Sequence, residues 1–215
     1  MKNVIIFDLD GTLLDTLEDL SASVNFALAS ENLPPRSIEE VRAFVGNGIR
    51  LLVERAVPES TAERVTDRVF ESFKAHYSAN CMAETKEYVG MTELLVSLKA
   101  KGCRLGVVTN KADFAARAII EHYFPDIFDT VTGERQGVRK KPAPDTVLET
   151  VKALGGTLED TVYVGDSEVD ILTAENAGCE LIAVSWGFRE ESILRKLGAK
   201  RIAGNMRELA ELLDE

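Results

Sequence analysis

Cysteine, histidine and tryptophan are scarce in this chain of 215 residues, which holds three, two and one of them. Cys81, Cys103 and Cys179 are odd in number, widely spaced and without a C-x-x-C pair, so neither a disulfide framework nor a zinc site is indicated. They read as small buried apolar residues. His76 and His122 fall in stretches of helical periodicity, which leaves zinc chemistry or a histidine base with little to work with. Positive charge is also in deficit, with a net charge of −11 and a sequence pI of about 4.8. That balance argues against a general affinity for nucleic acid or for an anionic membrane, and any anionic substrate must meet its cations locally. No segment approaches the roughly 20 apolar residues of a spanning helix, and no apolar stretch with a cleavage site follows Lys2. A cytoplasmic location is expected. The apolar share of 45 % and charged share of 28 % are those of an ordinary globular chain, and neither monomer nor dimer is specified.

The stretch Val4 to Thr16, VIIFDLDGTLLDT, stands out among what is present. Val4, Ile5, Ile6 and Phe7 suit a strand covered on both faces. Asp8 and Asp10 follow at its end, two apart, so in an extended chain both point the same way and repel unless a cation or a shared proton offsets them. Asp15 or Thr16 offers an N-cap for what comes next.

From Thr16 to about Met82 only helical patterns are credible. Leu17, Leu20, Val24, Ala27 and Leu28 recur at helical spacing until Leu33-Pro34-Pro35 stops the run. Ser37-x-x-Glu40 and Ser60-x-x-Glu63 both read as capping boxes. Between them a two-glycine loop, Val45 to Ile49, leads into a short helix over 51–57, and from Ala62 a longer helix carries Val65, Val69, Phe73 and Tyr77 on one face.

Beyond Tyr88, helix and strand alternate. Strands are expected at 103–108, 128–131, 161–164 and 180–184, with helices at 92–100, 113–123, 145–154 and from near Asp170 to Gly178. Two more helices flank a short segment at 200–203. The expected fold is therefore α/β, a parallel Rossmann-like sheet with helices on both faces and an all-helical insertion after the first strand. The core comprises residues 1–15 and 85–215, the insertion residues 16–84. Ligands bind such sheets outside the carboxyl ends of the strands. Standing at those ends here are Asp8 and Asp10, Thr109 and Asn110, Lys141 in the loop after the third strand, and Asp166 and Asp170. Carboxylates without histidine or cysteine make a hard oxygen site suited to Mg²⁺. With a lysine and a Thr-Asn donor pair beside it, such a site has the parts to hold a phosphoryl group.

FDLDGTLLDT, VVTNK, KKPAPD and GDSEVD, in this order and at these strand ends, resemble the four signature motifs of the haloacid dehalogenase-like superfamily of phosphotransferases. The likeness covers nearly the whole chain, and the helical insertion resembles that family's cap domain. It implies that Asp8 is the nucleophile that becomes an aspartyl phosphate. Asp10 would protonate the leaving group and later activate water, and Thr109 and Asn110 would donate to phosphate oxygens. Lys141, rather than the adjacent Lys140, would pair with Asp8 and the phosphate. Asp8, the Asp10 carbonyl and Asp166 would hold Mg²⁺, with Asp170 a further ligand or the holder of a metal-bound water. Dehalogenase members lack an acid at the position of Asp10, so its presence favours phosphate chemistry.

FVGNGIRLLVERA and YVGMTELLVSLKAKG resemble segments of the phosphoglycolate phosphatase branch. A phosphatase acting on small phosphorylated metabolites is thus implied, with 2-phosphoglycolate the first substrate to try. Arg50 is the insertion's best candidate for a substrate carboxylate or second phosphate, although the glycines of VGNG serve equally as a plain helix-to-helix turn. Two alternatives stay open: a sugar-phosphate mutase of the β-phosphoglucomutase type, and a receiver-like module phosphorylated on Asp. Chain crossings near Thr16 and Glu84 to Glu87 are expected to act as hinges.

Overall fold

The computed structural model describes residues 2–215. The chain divides into two compact units, one of residues 1–14 and 87–215 and the other of residues 15–86.

In chain order, β1 (Val4–Phe7) leads to a two-residue strand, β2 (Leu14–Asp15), and then to the four helices of the second unit. These are α1 (Leu17–Ser30), α2 (Ile38–Phe44), α3 (Ile49–Ala56) and α4 (Glu63–Asn80). A short β3 (Lys86–Glu87) pairs with β2, and the larger unit resumes with α5 (Met91–Ala100), β4 (Arg104–Ala112), α6 (Asp113–Tyr123) and β5 (Thr130–Glu134). It finishes with α7 (Asp145–Ala153), β6 (Thr161–Gly165), α8 (Glu168–Ala177), β7 (Glu180–Val184), α9 (Glu191–Lys196), β8 (Ile202–Ala203) and α10 (Met206–Asp214).

Six strands form one sheet in the order β5-β4-β1-β6-β7-β8, and every neighbouring pair is parallel. The chain builds outward from β1 to one side through β4 and β5, then returns to build the other side from β6. That reversal places the switch point of the sheet beside β1. All four β1 residues are fully buried, as a central strand covered on both faces requires. Val4 and Ile6 join Val108, Val147, Val151 and Tyr163 in one apolar cluster, while Phe7 meets Phe128 edge-on at 6.1 Å. Each such side chain contributes about 1.5–3 kcal/mol on burial.

The smaller unit has its own core, since Leu20, Val24, Leu28, Val69 and Phe73 are all buried. Asp19 is buried there too. Its carboxylate accepts from the Glu84 and Thr85 amides and the Thr85 hydroxyl at 2.7–3.2 Å, which ties the start of α1 to the segment after α4. Ser37 and Glu40 form the expected capping box at α2. Ser60 and Glu63 do not: α4 begins at Glu63, so Glu63 is the first helical residue rather than the third. Asp15, not Thr16, supplies a side-chain bond at the start of α1, accepting from Leu17 N at 3.3 Å.

Two strands differ from their expected spans. β4 continues past Val108 to Ala112 through a register shift against β5, and β5 starts at Thr130, leaving Phe128 to the aromatic cluster with Phe124 and Phe7. The polarity of Thr109, Asn110 and Lys111 hides their strand character from any hydrophobic pattern, because they pair with protein groups instead of apolar ones. The three cysteines are free, and burial pushes the thiol of Cys179 up to about 11.

Candidate active site

Asp8 leaves β1 with its amide donating to the Val164 carbonyl at 2.9 Å, which seats it between the central strand and β6. Its Oδ1 accepts from the Leu9 amide at 2.7 Å and from Lys141 Nζ at 2.9 Å. Lys141 is itself buried and also donates to Asp170 Oδ1 at 2.8 Å and to Tyr163 OH at 2.9 Å. All three ammonium protons are thereby committed. Burial pushes the Asp8 carboxyl up to about 7, and the charges of Asp170 and Asp10 add to that while Lys141 opposes it. Burial works against the Lys141 charge, but Asp170 and Asp8 outweigh it and hold the ammonium well above its ordinary range.

Asp166 comes from the turn between β6 and α8, and Asp170 from the first turn of α8. Thr12 Oγ1 donates to Asp166 Oδ1 at 3.1 Å and the Phe188 amide to Oδ2 at 2.7 Å. Each oxygen keeps lone-pair capacity for another partner. Burial, with the Asp170 and Asp8 charges, raises this carboxyl well above its usual range. Asp170 is instead crowded: Oδ2 accepts from the Asp166 and Ser167 amides and the Ser167 hydroxyl, and Oδ1 faces Lys141 and Tyr163. Asp170 is the third residue of α8, whose N-cap is Ser167. Gly11 makes the close approach of the two loops possible, because it adopts a φ of +84° and a Cβ there would overlap the Asp166 carboxylate.

Asp10 has a cation of its own, Lys111, with Nζ at 2.9 Å from Oδ1. The expected repulsion between Asp8 and Asp10 is thus met by two separate lysines, both buried. Thr109 Oγ1 accepts from the Lys111 amide at 3.1 Å, which leaves its own proton to give away. Asn110 Nδ2 donates to the Lys141 carbonyl at 3.1 Å and so steadies the lysine loop. Asp8, Asp10, Thr109, Asn110, Lys141, Asp166 and Asp170 all lie in the larger unit.

Arg50 lies in the smaller unit on α3, where Glu54 and Asp67 each accept from its guanidinium at 2.6 Å and Phe70 lies 5.3 Å beneath it. Those partners were not foreseen from the sequence. Nor were Lys111, Thr12, Tyr163 and Phe188 at the acids. For Lys111 a signal exists: it stands two residues beyond Thr109 in a strand that runs on to Ala112. No sequence pattern marks the Phe188 contact, which comes from a backbone amide.

Asp8, Asp166 and Asp170 each offer a carboxylate oxygen within 4.8 Å of the others. Four acids at this site face two ammonium groups, so two negative charges stay uncompensated if all four ionise, and this excess adds to burial, the larger cause, in raising the Asp8 and Asp166 carboxyls. An all-oxygen donor set with that excess fits a hard divalent cation.

A fold of this order carrying these four acids and two lysines defines an enzyme class, and the chain belongs to the haloacid dehalogenase-like hydrolase family, whose model matches residues 5–184. It is an enzyme of the phosphatase kind within that family. It is 34 % identical to phosphoglycolate phosphatase 1 of Pseudomonas aeruginosa over 221 residues, spanning 100 % of this chain and 81 % of that protein. The phosphoglycolate phosphatase of Caulobacter vibrioides is 37 % identical over 199 residues, 91 % of this chain and 84 % of that one. A crystal structure from Lactobacillus delbrueckii subsp. bulgaricus superposes with a TM-score of 0.95 at 36 % identity, covering 99 % of both chains. No helix among the described residues is long and apolar enough to cross a membrane.

Proposed function

We propose that this protein is a cytoplasmic, Mg²⁺-dependent phosphatase that hydrolyses small phosphorylated metabolites through an aspartyl phosphate on Asp8, and that 2-phosphoglycolate is its first substrate to test. The observation that carries this reading is the Asp8 carboxylate held by buried Lys141 at 2.9 Å, with Asp166 and Asp170 oxygens within 4.8 Å. Asp8, the Asp10 carbonyl and Asp166 are the groups that would hold Mg²⁺. Asp170, whose oxygens accept from Lys141 and from the turn, would be a further ligand or hold a metal-bound water. When bound, the cation supplies charge neutralisation for the phosphoryl oxygens.

Lys141 and the Leu9 amide occupy Asp8 Oδ1, so Oδ2 is the oxygen left for attack. Its bond to phosphorus forms as the ester P–O bond breaks, and Asp10 gives a proton to the departing alkoxide. Asp10 then takes a proton from the water whose oxygen attacks the same phosphorus, and the Asp8–phosphorus bond breaks to release inorganic phosphate. Lys111 holds Asp10 in place through both steps, while Thr109 and Asn110 orient the phosphoryl group.

The helical unit is assigned the choice of substrate, with Arg50 its candidate for a second anionic group. Glu54 and Asp67 hold that guanidinium, so a substrate carboxylate has to displace one of them. An unchanged KM for every small phosphate acid in Arg50→Ala would remove Arg50 from the reading. For the whole proposal, phosphate release is measured on a panel of phosphate esters with and without Mg²⁺. Turnover of 2-phosphoglycolate that needs the metal and vanishes in Asp8→Asn supports it. An isomerised sugar phosphate as product indicates a mutase, and a stable phosphoprotein without turnover indicates a binding module.

A further inference from the structure

The loop that follows β7 meets the acids residue by residue. Trp186 Nε1 donates to the Thr12 carbonyl at 3.2 Å. Gly187 lies so close that a Cβ there would overlap the Gly11 carbonyl and the Asp166 carboxylate. The Phe188 amide donates to Asp166 Oδ2 at 2.7 Å. Arg189 then closes the loop onto the start of α8, its side chain only 10 % exposed, with Nε and Nη2 on the two oxygens of Glu168 at 2.8 and 2.9 Å. A two-pronged guanidinium–carboxylate bond fixes direction as well as distance.

We propose that Arg189 and Glu168 are positioning residues for the metal site, their ion pair clasping the loop so that the Phe188 amide holds the Asp166 carboxylate ready for a divalent cation. This rests on Asp166 being a metal ligand. Thr12 restrains Oδ1 and Phe188 restrains Oδ2, so the carboxylate is held from both ends and neither oxygen is filled. Without the clasp the amide can withdraw, Asp166 regains rotational freedom, and binding a cation must then order it. Hydrogen-bonding partners behind a metal ligand are worth about 10- to 100-fold in metal affinity. A pair that only stabilises the fold would leave that affinity alone.

The test is calorimetric titration of the whole protein with Mg²⁺, run beside thermal melts, on the wild type, Glu168→Gln, Arg189→Met and Arg189→Lys. Glu168→Gln and Arg189→Met should raise the Kd for Mg²⁺ by about tenfold or more, and the Mg²⁺ concentration for half-maximal turnover should rise with it. Arg189→Lys, which keeps the charge and loses the fork, should fall between. If Arg189→Met does not fold, the other two carry the comparison. A lower Tm with an unchanged Kd in these variants would overturn the proposal and leave the metal reading standing. No Mg²⁺ binding by the wild type would overturn both.

Discussion

Stripping divalent metal and raising the pH should destabilise this protein, in a window set by Asp8. Burial carries that carboxyl from an ordinary 3.8 to about 7. Between those values the folded state binds more protons than the unfolded chain, so stability is fully present below the unfolded pKa and is lost as the pH rises through about 7. Asp113 and Glu168 are shifted down instead. Their contributions are gained as the pH rises toward their unfolded values and are nearly complete by about pH 5, which leaves the window above it to Asp8 and Asp166. At about 1.4 kcal/mol per pH unit, the interval from pH 5 to 8 removes about 3 kcal/mol through Asp8. In a chain of this size that lowers Tm by roughly 6–12 °C. The assay is a series of thermal melts in EDTA at pH 5, 6, 7 and 8, repeated with Mg²⁺ and on Asp8→Asn. Tm in EDTA should fall across the series, Mg²⁺ should restore more at pH 8 than at pH 5, and Asp8→Asn should make the fall shallower, leaving the part that belongs to Asp166. A melt that holds level from pH 5 to 8, or a slope in Asp8→Asn as steep as the wild type's, refutes the reasoning.

Other perturbations separate the roles of neighbouring groups. Asp10→Asn should cut steady-state phosphate release by about 10²- to 10⁴-fold, the worth of a positioned acid, while retaining burst labelling of Asp8 by an ester with a good leaving group. Lys111→Met should lower kcat more than it raises KM, since it removes the 2.9 Å partner of Asp10; equal kcat in the variant would mean the pair is structural. Tyr163→Phe leaves one Lys141 proton without its acceptor and should cost about 1–3 kcal/mol in urea denaturation. Phe73→Ala, at a fully buried position of the helical unit, should cost about 3–5 kcal/mol, seen as early loss of helix by circular dichroism.

The reach of sequence reasoning varied with the kind of signal. Val4 to Phe7 is apolar throughout and reads as a central strand, and it is one. The Ser37 box is local and complete, whereas the Ser60 box fails because the same letters allow the N-cap to fall at Ala62, the third of the four residues, as well as at Ser60, the first. The apolar pattern ends β4 at Val108 because the residues beyond it are polar, yet those residues, Thr109, Asn110 and Lys111, are the ones the strand brings into the site. Asp170 is the third residue of α8 and completes a capping box with Ser167, with both oxygens accepting from protein donors.

Local sequence is enough to specify the alternation of strands and helices, the insertion after the first strand, and which acids and which lysine stand at strand ends. Those follow from periodicity and from chain order, which are local. Packing in three dimensions assigns each acid its cation, because Lys111 lies 101 residues from Asp10 and Lys141 bonds Tyr163 and Asp170 as well as Asp8. It also decided that Asp166 is held by a backbone amide at Phe188, a donor every residue but proline possesses and no pattern can single out. Pairing across a parallel sheet depends on strand order in space, and a linear chain does not carry that order on its face.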